Sequence, residues 1–172
     1  TSNTGHALKS DNTDTGYGYI EIDGGKLTLA STTGKGIKAV NKYTQNGGDI
    51  VVTKSKEGIE SFSINVNGGS LNITASNDAV NATKGTVSGG TEQNDGSCLY
   101  VRGGTLIASC TNGDAIDSNG NIVITGGLTI ANGPSSNIEE AADFNGTFSM
   151  NGGIFIGAGA NSNMTKPMST SS

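Results

Sequence analysis

The chain has 172 residues, 10 basic and 15 acidic side chains and a net charge of −5. The acid excess and the single arginine, Arg102, argue against a nucleic-acid binder, which needs a basic face. No stretch approaches the ~18 apolar residues of a membrane-spanning helix, and an apolar content of 33% leaves material only for a thin core.

Taken in chain order, the apolar residues fall in short alternating runs: Ile20–Ile22, Leu27–Leu29, Ile50–Val52, Ile64–Val66, Leu71–Ile73, Leu99–Val101, Leu106–Ala108, Ile122–Ile124 and Phe148–Met150. Period-two alternation predicts half-buried strands, and no helical spacing is sustained. A Gly-Gly pair follows most runs, at Gly24, Gly47, Gly68, Gly103, Gly126 and Gly152, with Gly89-Gly90 out of pattern. Before each pair stands a second marker, a small residue, an apolar or small one and a polar one. Its polar member is Lys9, Lys38, Glu60, Asn81, Asp117 and Asp143 in turn. The intervals of 29, 22, 21, 36 and 26 residues describe a unit of ~21–22 residues with insertions. A unit of this length holding two or three short strands predicts one coil of an all-β, parallel β-helix of about 6–7 turns. Stacked at ~4.8 Å, six turns give a rod roughly 25–30 Å long. Gly-Gly is also a hairpin turn, but hairpins do not explain a marker recurring before each pair. The whole chain, 1–172, reads as one such domain with an irregular tail from about 160. Insertions at roughly 11–18, 83–97 and 133–138 would decorate one face.

The polar positions of the marker come in pairs three apart: His6/Lys9, Lys35/Lys38, Glu57/Glu60, Asp78/Asn81, Asp114/Asp117 and Glu140/Asp143. If the turns stack in register, these become two ladders, basic at one end and acidic at the other. Lys35 and Lys38 are placed to neutralise Glu57 and Glu60. The remaining rungs have no lysine, and carboxylates ~4.8 Å apart repel one another. A hard cation is the expected partner. Ca²⁺ takes oxygen ligands, and Glu57, Glu60, Asp78, Asn81, Asp114, Asp117, Glu140 and Asp143 supply them, with Asp95 from the long insertion as a further ligand. A solvated acidic edge without an ion is the alternative. A transition metal has little to hold it, with one histidine and two distant cysteines.

Cys98 and Cys110 would lie on diverging arms of one turn, too far apart to bridge, so free thiols are expected. Tyr17, Tyr19, Tyr43 and Tyr100 are the candidates for stacking on a sugar ring. Alignment on the Gly-Gly pairs sends Leu99 and Val101 inward and Tyr100 outward. Arg102 is the one base that a lyase chemistry could use. Of these, Tyr100, Arg102 and Tyr43 are the expected ligand-binding residues. In the last turns the alternation reverses, so Leu128, Ile130, Ile154 and Ile156 point outward beside Ile107. The tail (Met164, Pro167, Met168), a partner, or a bulge that returns Leu128 to the core would relieve this.

The runs TKSKEGIE, INVNGGSLNITASNDAVNA, GDAIDSNGNIVITGG, NGPSS and AADFNGTFSMNGG resemble the clostridial carbohydrate-binding β-helix family. The likeness spans roughly residues 35–160. It implies a right-handed parallel β-helix of the pectate-lyase type, bound Ca²⁺, and a secreted or cell-surface protein. The implied function is non-catalytic binding of a plant-wall polysaccharide such as polygalacturonate or cellulose. The few aromatic residues, which an uncharged glucan would need as platforms, favour the acidic polymer, and a monomer or weak dimer is expected. Two alternatives stay open: a pectate-lyase-like enzyme and a structural or adhesive module. Departures from the family pattern are Val80-Asn81 and the run Ala141–Phe144.

Overall fold

The computed structural model describes residues 1–85, 93–135, 138–160 and 168–170. Among them there is no helix; the strands are β1 (Leu8–Ser10), β2 (Tyr19–Ile22), β3 (Lys26–Ala30), β4 (Ile37–Gln45), β5 (Asp49–Lys54), β6 (Ile59–Val66), β7 (Ser70–Ala75), β8 (Val80–Ala82), β9 (Cys98–Val101), β10 (Thr105–Cys110), β11 (Ile116–Ser118), β12 (Asn121–Asn132), β13 (Ala142–Phe144), β14 (Phe148–Ala158) and β15 (Ser169–Thr170). Every pairing is parallel, and each strand pairs with its equivalent one turn away. The result is a parallel β-solenoid of about six turns, as the repeat predicts.

Three stacks run along it. The first joins β1, the start of β4, the start of β6, β8, β11 and β13. The second joins β2, the end of β4, the end of β6, β9, the start of β12 and the start of β14. The third joins β3, β5, β7, β10 and the far halves of β12 and β14. We call them the first, second and third sheets.

Alternation decides which side chains enter the narrow interior. On the first sheet Ile37, Ile59, Val80 and Ile116 stack and are fully buried; on the third, Ile50, Leu71 and Leu106 do the same. At the end of the rod Phe144, Phe148 and Phe155 meet edge to face, at 5.8 and 5.1 Å between centroids, and close the core.

The corner between second and third sheets is a stack of glycines. Gly104 has φ +74°, and a Cβ there would sit 2.5 Å from the carbonyl oxygen of Gly69 in the turn beneath. Only glycine fits such a position. The glycine stack fixes the register of the third sheet, which explains the reversed turns. Thr129 pairs with Leu106 and is fully buried, so Leu128 and Ile130 face outward, next to Ile154 and Ile156. β12 and β14 do carry an irregularity at that corner, but it does not return Leu128 to the core. Backbone stacking overrides side-chain preference here, and the hydroxyl of Thr129 is left without a hydrogen-bond partner among the described residues. Ile154 and Ile156 are 57% and 52% exposed. Met164 and Pro167 of the tail, and Gly89-Gly90, lie outside the described residues. Ser169 and Thr170, expected to be irregular, pair with Ser149 and Met150 on the second sheet, away from the apolar stripe.

Candidate metal and ligand sites

The register that stacks the core also stacks the markers. Lys9, Lys38, Glu60, Asn81, Asp117 and Asp143 are partners in successive turns on the outer face of the first sheet. The other six markers stack just ahead of it. Here side chains reach the next turn's backbone: Lys35 N–H donates to His6 Nδ1 at 3.0 Å, Asp114 N–H to Asp78 Oδ1 at 3.0 Å, and Glu140 N–H to Asp114 Oδ1.

The basic rungs neutralise the first acidic rung. Lys35 Nζ lies 2.7 Å from Glu57 Oε2 and also pairs with Glu60, which Lys38 contacts as well. Glu57 and Glu60, expected as metal ligands, are therefore held by lysines. Asp95 is not part of the ladder either: its two oxygens accept the backbone N–H groups of Ser97 and Lys84, at 2.8 and 2.7 Å, and pin the insertion.

The later rungs differ. One carboxylate oxygen from each of Asp114, Asp117 and Asp143 lies within 4.8 Å of the others. Burial pushes Asp117 up to about 8, with the charges of Asp78, Asp114 and Asp143 adding to it. Burial likewise raises Asp114 to about 7, helped by Glu139, Asp78 and Asp143, and Asp78 to about 6, helped by Glu57 and Glu139. Asp78 Oδ2 accepts from the side-chain amides of Asn77 and Asn81, at 3.1 and 3.3 Å. The Asn81 side-chain oxygen, Oδ1, is buried with no donor among the described residues. Three close carboxylates and this buried amide oxygen one turn below make an oxygen-only donor set that fits a hard divalent cation. Glu139 adds charge to Asp78 and Asp114 and was not among the expected residues; its position beside Glu140 is the only signal in the sequence.

The expected ligand residues separate. Tyr43 is wholly buried in the column of Ile64 and Leu99, its hydroxyl donating to Gln45 Oε1 at 3.0 Å. That expectation is corrected: its ring offers no face to a ligand. Burial also drives its hydroxyl well above the usual range. Tyr100 does point outward on the second sheet. Arg102 lies over its ring, 4.5 Å from the centroid, and donates to Asn65 Oδ1 and Asn67 Oδ1 at 2.9 and 3.2 Å. Cys98 and Cys110 are free and buried, as expected; burial pushes Cys110 up to about 12.

The sequence was compared with known proteins. A family model described as carbohydrate-binding domain-containing protein matches residues 1–97. No curated protein and no solved structure matches.

Proposed function

The chain belongs to the family of carbohydrate-binding domain-containing proteins, and from that we propose a secreted or cell-surface module that binds an acidic plant-wall polysaccharide without cleaving it, assisted by Ca²⁺ held on the acidic ladder. The observation that carries the reading is the Asp114, Asp117 and Asp143 cluster, which brings one carboxylate oxygen from each residue within 4.8 Å of the others. Asp114 is buried, whereas Asp117 and Asp143 are partly open. A cation there ties the fifth turn to the sixth and keeps an outward side. A carboxylate or hydroxyl of the polymer completes its coordination, so that an acidic protein holds an acidic ligand.

A lyase would need a base beside the cation. Arg102 stands on a different sheet, engaged with Tyr100, Asn65 and Asn67, which favours binding over cleavage.

Calorimetric titration of polygalacturonate fragments tests the proposal, with Ca²⁺ and with EDTA, the mixture being read for an unsaturated product. The expected result is saturable heat in Ca²⁺, weakened at least about tenfold in EDTA, with no product. Product would make the protein a lyase, and an absence of heat in both buffers would remove the uronate reading.

A further inference from the structure

The first insertion builds a cleft that the ladder does not explain. Gly16, Tyr17, Tyr19, Glu21, Asn41 and Lys42 line a cavity of about 470 Å³ on the outer face of the second sheet. Tyr17 and Tyr19 are 60% and 54% exposed. Both are large aromatic rings that folding has left in water, lining the same cavity, which marks a contact surface.

The cleft is preformed. Asn41 Nδ2 donates to the Tyr17 carbonyl at 2.6 Å, and Asn41 N–H to the Gly18 carbonyl at 2.8 Å. Gly18 has φ +71°, and a Cβ there would lie 2.3 Å from the Asn12 carbonyl oxygen. The residue between the two tyrosines therefore has to be glycine, and the loop it shapes sets Tyr17 beside Tyr19. Tyr19 and Lys42 are register partners on adjacent turns.

The chemistry of the lining is mixed in a specific way. Two rings offer faces to a pyranose. Glu21 and Asn41 offer acceptors and donors to hydroxyls. Lys42 brings a positive charge and forms no ion pair with a described carboxylate. Two turns further along the same sheet face, Arg102 is a second cation without one. Between them the exposed side chains are amides: Asn67 donates to Asn46 at 2.8 Å, and Asn46 donates to Glu21 and Asp23 at 3.0 and 2.7 Å. These two unneutralised cations lie two turns (~10 Å) apart along the axis and four strand positions (~13 Å) apart across the sheet; with the polar strip that runs from the aromatic cleft, they match a polymer with a carboxylate on its rings.

We infer that the Tyr17–Tyr19 cleft is a calcium-independent subsite for an acidic sugar, with the chain running along the outer face of the second sheet toward Arg102. Lys42 pairs with a uronate carboxylate and the two tyrosines stack on the ring. This rests on the carbohydrate-binding reading, but uses neither the ladder nor its cation. The cleft also lies within residues 1–97, the part the family model matches, whereas Asp114, Asp117 and Asp143 lie beyond it.

The test is titration of a galacturonate oligomer and a neutral cello-oligosaccharide into the whole chain in EDTA, then in Ca²⁺. The wild type is expected to keep measurable uronate binding in EDTA. Tyr17→Ala with Tyr19→Ala should reduce it about tenfold or more. Lys42→Gln should reduce uronate binding about tenfold and leave the weaker neutral-sugar binding unchanged. These side chains are exposed, so an unchanged melting temperature establishes that each variant is folded. Uronate binding that appears only with Ca²⁺, or variants that bind as the wild type does, would overturn the subsite and leave the calcium-assisted function standing. A wild type that binds no sugar in either buffer would overturn both.

Discussion

The second and third turns and the fifth and sixth carry the same marker in the same register, yet solve opposite problems. In the earlier pair Lys35 and Lys38 stand one turn below Glu57 and Glu60 and cancel them. In the later pair Asp114 and Asp117 stand one turn below Glu140 and Asp143, and the charges add. A solenoid places every substitution at a fixed distance from the equivalent residue of the next turn. A ladder therefore either neutralises itself from sequence or must import a counter-charge. Asn81, neutral and between Glu60 and Asp117, separates the two regimes.

The comparison can be broken from the self-neutralised side, where the effect should be largest. Lys35→Met leaves two mostly buried carboxylates short of their shared cation and should cost about 3–5 kcal/mol, read as a fall in denaturation midpoint. Ca²⁺ should recover part of the loss by occupying the rung.

It can be sharpened by copying that arrangement into the acidic half. Lysine already occupies the Asp117 column at Lys9 and Lys38. Asp117→Lys should raise the melting temperature in EDTA by a few degrees and abolish the response to Ca²⁺. A variant that is no more stable in EDTA and still responds would show that Asp117 is not part of the cation site.

The pH dependence separates the halves more gently. The raised values of Asp78, Asp114 and Asp117, about 6, 7 and 8, mean that the metal-free folded chain holds protons that the unfolded chain releases near 3.8. Stability from these groups is fully present below about pH 4 and lost as the pH rises toward about 8. Denaturation midpoints in EDTA should fall across that window, and saturating Ca²⁺ should flatten the slope. A rising profile in EDTA would contradict the cluster.

The smallest effect concerns the reversed turns. Thr129→Val removes a buried hydroxyl with no partner at almost constant shape and should stabilise by about 1 kcal/mol, seen in the same denaturation curves.

The repeat made most of this legible. Gly-Gly spacing gives the turn, and marker spacing gives the two ladders and the lysine–glutamate rungs. Alternation gives the outward Leu128 and Ile130. Tyr43 was legible too. It stands four residues before Gly47, as Leu99 stands four before Gly103, so the alignment that sends Tyr100 outward sends Tyr43 inward. Its ring suggested a ligand role, but position in the coil decides. Asp95 and the tyrosine cleft were not legible, because insertions have no equivalent turn to be aligned with. Their geometry depends on left-handed glycines and on backbone donors, such as Ser97 and Lys84 for Asp95. The placing of Arg102 over the Tyr100 ring is equally hidden, since two adjacent outward groups can meet or diverge.

The central claim is that the acidic half of the ladder takes a divalent cation. Calorimetric titration of Ca²⁺ into the metal-free chain at pH 7, with Asp117→Asn alongside, tests it most directly. The account predicts saturable binding with proton release in the wild type, because partly protonated carboxyls must ionise to ligate, and at least about tenfold weaker binding in the variant. Absence of saturable heat, or identical isotherms for wild type and variant, would contradict it.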